Sequence, residues 1–515
     1  MAALTDNIFF CSFSFLVLLI CTVLFIVKSF SVQLVNSETK HRTPPNPPAL
    51  PIIGHLHLVG SVIPKTFQNL ARLYGPLMQL RLGASTTLIV SNAQVAGEVF
   101  KTHELNFCNR PEYGSSDYDN YKGSSFINAP YGPYWRFMKK LCVTQLLSTF
   151  QLGRFTHVRE QETKSLLDFL VQCSREAKAC DLSPKFTALT NNIICRIAMS
   201  TTCDADQIHR VVRECLELGA KLSLGDVLGP LAKFDLFGYG KKLAKVMSEF
   251  DRMLEMITKE HEEKLDHKCS EVEEREDMMD ILLQVYRDPN AEMKLKRNDL
   301  KAFFLEILLA STDTTSVALQ WAMAEIINHP RVLKKLREEM DSIVGSRRLV
   351  KESDVPNLPY LQAVVKEVLR LHPSAPFVLR QSSEDCNING YVLKGQTRTI
   401  VNVYAIMRDP QGWTNPEEFM PERFLDGDGT DQNLMQMKGQ DLRYVPFGSG
   451  RRGCPGAALA LTVIQPTVAA LVQCFDWKVK GGSKVDTTEG SGFSMGLAKP
   501  LVCYPITRLD DLLSV

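Results

Sequence analysis

One cysteine of the 14 in the chain sits in a setting unlike the others. Cys454 lies in PFGSGRRGCPG, Pro446 to Gly456, among glycines, prolines and the adjacent Arg451 and Arg452. Gly448, Gly450, Gly453 and Gly456 permit a tight loop that approaches something flat or bulky. The run after Pro455, GAALALTVIQPTVAALVQC, reads as a helix, so Cys454 stands just before a helix N-terminus. That position and the arginines both favour a thiolate. Arg452 can pair with carboxylates. Thiolate, arginines and a glycine-opened surface together suit an iron porphyrin with acid side chains. A phosphate cradle is an alternative, but the stretch lacks the GK[ST] ending of a P-loop. A catalytic cysteine and an inert turn also remain open, the former without a nearby histidine in a clear partner role.

A second set of reactive residues lies inside an apolar run, FFLEILLASTDTTSVALQWAMAEII. The run is apolar on nearly every side and predicts a buried helix over about Leu300 to His329, roughly 45 Å long. Its middle holds Ser311, Thr312, Asp313, Thr314, Thr315 and Ser316. Burying Asp313 is costly unless something pairs or uses it. Either the hydroxyls bond back to helix carbonyls and kink the helix beside a surface aspartate, or acid and alcohol relay protons into a buried cavity. A third set, KEVLRLHP, places Glu367 and Arg370 on one helical face among Val364, Val365, Val368, Leu369 and Leu371. Exposed pairs contribute under about 1 kcal/mol, but these neighbours predict burial and a need for further partners. Arg423 in NPEEFMPERF can complete a Glu–Arg–Arg network, a structural lock rather than chemistry.

The scaffold that must position these residues is large. A chain of 515 residues, 45% hydrophobic and 23% charged, can bury a sizeable core. The net charge of +1 provides no global electrostatic case for a nucleic acid partner. The cysteines are scattered, without a CxxC pair, and read as reduced thiols facing the cytosol rather than a zinc module or disulfide scaffold. Ile8 to Val27, IFFCSFSFLVLLICTVLFIV, is uncharged over 20 residues, enough to span a bilayer core as a helix. Lys28, Lys40 and Arg42 follow it, and no Lys or Arg precedes it. Residues 1–42 are therefore expected to form an uncleaved anchor and its flank, with the downstream chain cytosolic. TPPNPPALPIIGH, residues 43–55, is a proline-rich linker or hinge. Residues 56–515 form the remaining body. In it, Leu77–Gly83 and Thr86–Asn92 read as strands around a turn. Helices are expected at Leu243–Leu265 and Leu358–Leu371, a solvated loop at Asp266–Asp277, and strands near Cys386–Val392, Thr397–Val403 and the C-terminus. The fold class is mainly α with small β-sheets and no βαβ alternation.

The cysteine stretch resembles the haem-binding signature of cytochromes P-450, F-x-x-G-x-R-x-C-x-G, at Phe447, Gly450, Arg452, Cys454 and Gly456. The resemblance extends over essentially the whole chain. Glu367 and Arg370 match the family's E-x-x-R and Arg423 the third member of that triad. Asp313 and Thr314 match its oxygen-activating acid–alcohol pair. Trp135 and Lys139 fit W-x-x-x-[RK], whose side chains contact a haem propionate, and Arg380 stands where a second propionate partner is expected. Pro44 to Gly54 match the proline hinge. Two departures stand out: Ser311 replaces a usual Gly beside the oxygen site, and SGFSMGLAKP replaces the Leu-Thr-Leu-Pro-like core of many plant relatives.

The resemblance implies a cytochrome P-450 fold behind a single N-terminal transmembrane helix, in the endoplasmic reticulum membrane with the catalytic domain cytosolic. It implies haem b, with Cys454 as the iron ligand, O2, membrane lipid, and electrons from a separate NADPH-dependent flavoprotein, the cytochrome reductase. Lys140, Arg443 and Arg451 are candidates to face that reductase. Expected pocket segments are Tyr113–Phe126, Phe303–Asp313, Ser374–Val378 and Ser491–Leu497. Phe304, Leu308, Phe377, Val378, Phe493, Met495 and Leu497 suit a bulky, weakly polar skeleton. The substrate expectation is a hydrophobic plant metabolite: a pentacyclic, friedelane-type triterpene oxidised at a methyl group, with a flavonoid as the alternative. A haem-thiolate isomerase or dehydratase acting on a peroxide, and a non-catalytic haem protein, are the rivals of other classes. The retained Asp313–Thr314 pair speaks against both.

Overall fold

A computed structural model describes residues 43–508 except 113–119, 202–204, 226–234, 236, 268–275, 426–440, 483 and 493. The expected anchor, Ile8–Val27, and the pocket residue Phe493 lie outside the described residues, as does most of the expected loop after Asp266.

The alternating run LMQLRL forms β1 (Leu77–Leu82), which pairs antiparallel with β2 (Ser85–Val90) from Leu77↔Val90 to Leu82↔Ser85. A short strand β3 (Cys180–Asp181) follows much later, then β4 (Phe377–Gln381), the hairpin β5 (Cys386–Ile388) and β6 (Tyr391–Leu393), and β7 (Arg398–Asn402). β7 lies parallel to β2 and antiparallel to β4, giving a sheet of order β1-β2-β7-β4. β8 (Phe475–Val479) and β9 (Val502–Thr507) join β3 in a second sheet, order β3-β9-β8. The proline-rich segment is pinned to the first sheet rather than free. The Arg81 amide donates to His55 Nδ1 at 2.7 Å, so His55 Nε2 carries the proton and donates to the Pro47 carbonyl at 2.8 Å. Gly54 has φ +64, and a Cβ there would fall 2.1 Å from the Arg81 carbonyl oxygen, so only glycine fits.

Helices form the rest of the scaffold: α1 (Ile63–Tyr74), α2 (Pro133–Leu141), α3 (Leu182–Met199), α4 (Tyr239–Asp266), α5 (Arg297–Asn328), α6 (Pro359–Leu371) and α7 (Ala457–Cys474) are those that place the site. α5 is the long helix expected from the apolar run, and it starts with the Lys296 amide donating to Asp299 Oδ2 at 2.7 Å. It remains α-helical through the polar knot, and the hydroxyls bond back to helix carbonyls as the first of the two readings had it. Ser311 Oγ donates to Ile307 O at 2.6 Å and Thr314 Oγ1 to Ala310 O at 2.7 Å, adding to the ladder instead of replacing its amide bonds. Its broadest contact is with α3, where Thr190 Oγ1 donates to Thr312 O and the Thr187 and Ser316 hydroxyls meet at 2.9 Å. Among the described residues α5 and α7 are long and apolar enough to cross a membrane, but most of each is buried inside the body, as core helices are.

Candidate functional site

Tight turns set the cysteine. Gly448 N donates to Val445 O, Gly453 N to Gly450 O and Cys454 N to Phe447 O, all at 2.8–3.0 Å. Gly450 has φ +70, and a Cβ there would meet Glu104 Oε1 at 2.8 Å and Phe100 O at 3.2 Å. The loop delivers Cys454 to the first turn of α7, where the amides of Gly456 and Ala457 donate to its sulfur. The side chain is exposed although protein surrounds it closely. Burial pushes the Cys454 thiol up; the Gly456 amide, Lys139 and Arg110 oppose this without reversing it. The helix-terminus amides and nearby cations thus favour a thiolate, as the sequence suggests, while desolvation opposes it; a metal ion at the sulfur would displace the proton.

Three guanidiniums gather beside this loop. Arg452 is buried, lies 4.5 Å over the Trp135 ring, and donates through Nε to Cys108 O, through Nη1 to Ile127 O and through Nη2 to Ala129 O. Three of the five N–H bonds of its guanidinium thus go to main chain. The expected carboxylate-binding role of Arg452 is shared with a structural one. Arg380, also buried, lies 5.6 Å over the Phe100 ring and donates to Leu379 O. Burial lowers both groups' proton affinity, and Arg110 lowers it further. Arg110 was not anticipated; the one sequence signal was a basic residue in FCNRP, ahead of a proline. Glu104, the neighbouring acid, is held by the Arg451 amide at 2.7 Å and Nε at 3.0 Å. Lys139, expected at a propionate, donates from Nζ to Gly453 O at 2.7 Å, next to the cysteine. Buried cations that repel one another fit a dianionic group, and the two propionates of haem b are such a group. The donor set therefore fits haem: one sulfur, with the buried guanidiniums of Arg380 and Arg452 beside it.

The facing wall is α5. At 3.6 residues per turn, Glu306, Ile307, Ala310, Asp313 and Thr314 share one side. That side stays partly open, with Ala310 exposed and Asp313 and Thr314 half-buried. Phe304 and Leu308 are on the other side and fully buried in the core cluster that contains the α3 residues. They thus lie on the side of α5 opposite its open face. Ser374 Oγ donates to Thr314 O at 2.8 Å, Met495 N to Ser374 O at 3.0 Å, and Trp321 Nε1 to Met495 O at 2.7 Å. Met495 is buried and Leu497 half-buried against the same core. Strand alternation splits the remaining pair. Phe377 packs on Phe67 of α1 with centroids 5.7 Å apart, away from the ligand loop, whereas Val378 Cγ2 is 3.6 Å from where a Cβ on Gly448 would sit. Segments 374–378 and 494–497 thus meet α5 at Thr314, while Phe304 and Leu308 pack into the core and Phe377 onto Phe67.

The lock forms as expected. Arg370 Nε and Nη2 donate to the two Glu367 oxygens at 2.7 and 2.9 Å, and Arg423 Nε to Glu367 Oε1 at 3.0 Å. Carbonyls of Met407, Pro416 and Glu418 take further Arg370 donors, and Trp413 lies under both guanidiniums. On the surface, Lys140 pairs with Glu292, Arg443 with Asp441 and Arg451 with Glu104, so each proposed reductase contact already holds a carboxylate.

The family profile described as cytochrome P-450 matches residues 44–504. The chain is 42% identical over 511 residues to a 3,9-dihydroxypterocarpan 6A-monooxygenase of Glycine max, covering 96% of this chain and 98% of that protein. It is 40% identical over 499 residues to a beta-amyrin 24-hydroxylase of Glycine max, covering 94% and 97%. A solved zebra fish cytochrome P-450 with progesterone superposes with TM-score 0.72 at 26% identity, over 86% of this chain and 99% of that one.

Proposed function

The chain belongs to the cytochrome P-450 family, and from that premise we propose that it hydroxylates a methyl group of a pentacyclic triterpenoid. The coarser statement is firm: it is a haem monooxygenase of plant specialised metabolism. The observation that carries the substrate class is the uncharged, largely apolar wall built where residues 374–378 and 494–497 meet Thr314. Such a wall binds a bulky skeleton by burial and leaves few polar groups to be matched. A relative named for beta-amyrin oxidation supports this reading. An isoflavonoid-type polycycle is the second reading, favoured by the relative named for a dihydroxypterocarpan.

Haem, when bound, supplies the reductive activation of O2. Cys454 would hold its iron, and Arg110, Arg380, Arg452 and Trp135 would hold its propionates. Thr314 Oγ1, anchored on Ala310 O, and Asp313 on the same open side are the groups that would pass protons inward. Ser311 leaves its hydroxyl on Ile307 O, so it adds no donor to that side. Val378 and Leu497 would orient the substrate, on a wall that Met495 anchors through its backbone bonds to Ser374 and Trp321. The balance is substrate C–H plus O2, NADPH and a proton, giving C–OH, water and NADP⁺, with the electrons arriving through a separate reductase in the endoplasmic reticulum membrane, at the face of Lys140, Arg443 and Arg451. The test is a panel of triterpenes and flavonoids fed to microsomes with reductase and NADPH. An oxygenated triterpene is expected; product from flavonoids alone overturns the triterpene reading. Thr314→Ala should leave substrate binding intact and divert most NADPH to peroxide, read as hydrogen peroxide per product; unchanged coupling would remove Thr314 from the relay.

A further inference from the structure

Glu306 lies half-buried on the partly open side of α5, one turn before Ala310, where a carboxylate in an apolar helix needs a reason. Its partners supply one. Ser125 Oγ donates to Oε1, Phe126 N to Oε2 at 3.0 Å, and Ile127 N to both oxygens at 3.2 and 3.1 Å. One side chain thus gathers three consecutive residues of a segment built only of turns, Ser124 N to Tyr121 O and Ala129 N to Ser125 O, without helix or strand. The segment is tied at its other points too. Tyr121 OH donates to Asp251 of α4 at 2.8 Å, and Tyr134 OH to Ser124 O at 2.7 Å. Ile127 faces both walls: its amide goes to Glu306, its carbonyl to Arg452 in the ligand loop. Between these ties Phe126 is buried, stacked on Trp135 at 6.3 Å and tilted on Phe303 of α5 at 6.3 Å.

We propose that Glu306 is a specificity-determining positioning residue: its carboxylate latches residues 125–127 to α5, sets Phe126 as the wall of the substrate cavity, and couples that wall through Ile127 to Arg452. Charge-assisted bonds to main-chain amides are the strong kind, and no other residue type of similar reach accepts three donors this way. A glutamine keeps the shape but has one acceptor oxygen and turns an N–H₂ toward amides that themselves donate, so Glu306→Gln should open the latch without emptying the core. A looser wall admits larger ligands faster and holds them less tightly. The inference rests on the haem reading, but its test uses no substrate and therefore stands or falls apart from the triterpenoid proposal.

The test takes the full-length holoprotein of the wild type, Glu306→Gln and Ser125→Ala. Three quantities are read: hydrogen exchange of the peptide spanning residues 121–129, the spectral dissociation constant of phenylimidazole, and the rate of carbon monoxide rebinding after photolysis. In Glu306→Gln exchange of that peptide should rise roughly tenfold, the carbon monoxide rate should rise, and the phenylimidazole constant should shift about fivefold. Ser125→Ala, which removes one of the donors, should move each in the same direction by less. The thiolate carbon monoxide band should survive in both variants. All three quantities within about twofold of wild type in Glu306→Gln would overturn the latch. Loss of the thiolate band in both variants would assign Glu306 to the fold and overturn it as well.

Discussion

Two buried clusters of charge flank the ligand loop, and they are built on opposite plans. In the Glu367–Arg370–Arg423 cluster the carboxylate receives both arginines, and the remaining donors find carbonyls. In the Arg110–Arg380–Arg452 cluster cations crowd together, and the nearby acid Glu104 is spent on Arg451. Desolvation is expensive for both. The first recovers that cost within the chain and so serves the fold. The second, among the described residues, sets guanidiniums close enough to repel one another, as a site for an anionic ligand would. The same residue type thus takes two roles, and what separates them is whether the surrounding chain supplies the counter-charge.

The sharpest way to break this contrast is to remove one charge from each side. Glu367→Gln strips the carboxylate from two buried guanidiniums, a loss of about 3–5 kcal/mol. It should yield no folded holoprotein, read as absence of the thiolate carbon monoxide band and of a cooperative melt. Normal yield of holoprotein would remove the lock from its role. Arg380→Met should do something of the other sign to the apoprotein. It relieves repulsion from Arg110 and Arg452, so the apoprotein should melt no lower than wild type. The holoprotein should surrender haem to an acceptor globin about tenfold faster, in line with the loss of one charge-assisted bond. An apoprotein several degrees less stable, with haem loss unchanged, would place Arg380 with the first cluster.

The two clusters also differ in how far the sequence exposes them. Glu367 and Arg370 are three residues apart in an apolar stretch, and Cys454 lies in a dense local signature; both can be read because their logic is local. Arg110 and Glu306 could not be read that way. Arg110 meets Arg380 and Arg452 only through the fold, and Glu306 finds its amides 180 residues back along the chain. The facing of α5 was lost for a different reason. A helix apolar all round has no hydrophobic stripe, so periodicity cannot say which side meets α3 and which the cavity. Nothing in the run therefore tells that Phe304 and Leu308 pack into the core, although the helix itself and its polar centre are legible. Strand β4 shows the same limit on a smaller scale, where neighbouring Phe377 and Val378 point to opposite faces.

A finer version of the compensated plan lies where α5 meets the end of α6, and it makes the smallest of the predictions. Glu325 accepts from His372 Nε2 at 2.7 Å and lies 3.2 Å from His329 Nδ1, while Trp321 stacks on the His372 ring at 3.7 Å. Burial pushes Glu325 up, but the bonds from His329 and His372 outweigh it and hold the carboxyl at about 2 against an ordinary 4.5. Burial holds His372 below the usual histidine range, so it serves as a neutral N–H donor; the Glu325 bond raises His329, which carries the positive charge. A carboxyl lowered in the folded state stabilises above its unfolded value, and that contribution is lost as pH falls from 4.5 toward 2. A histidine raised in the folded state stabilises below its ordinary 6.5, and that part is lost as pH rises through its folded value. The cluster should therefore contribute most between these limits. Glu325→Gln, measured by denaturant midpoint, should be about 2 kcal/mol less stable than wild type near pH 6. The gap should narrow steadily below pH 4.5, because the wild type then loses what the variant never had. A gap that stays constant with pH would mean that Glu325 acts through packing, and that internal charge balance stops at the Glu367 cluster.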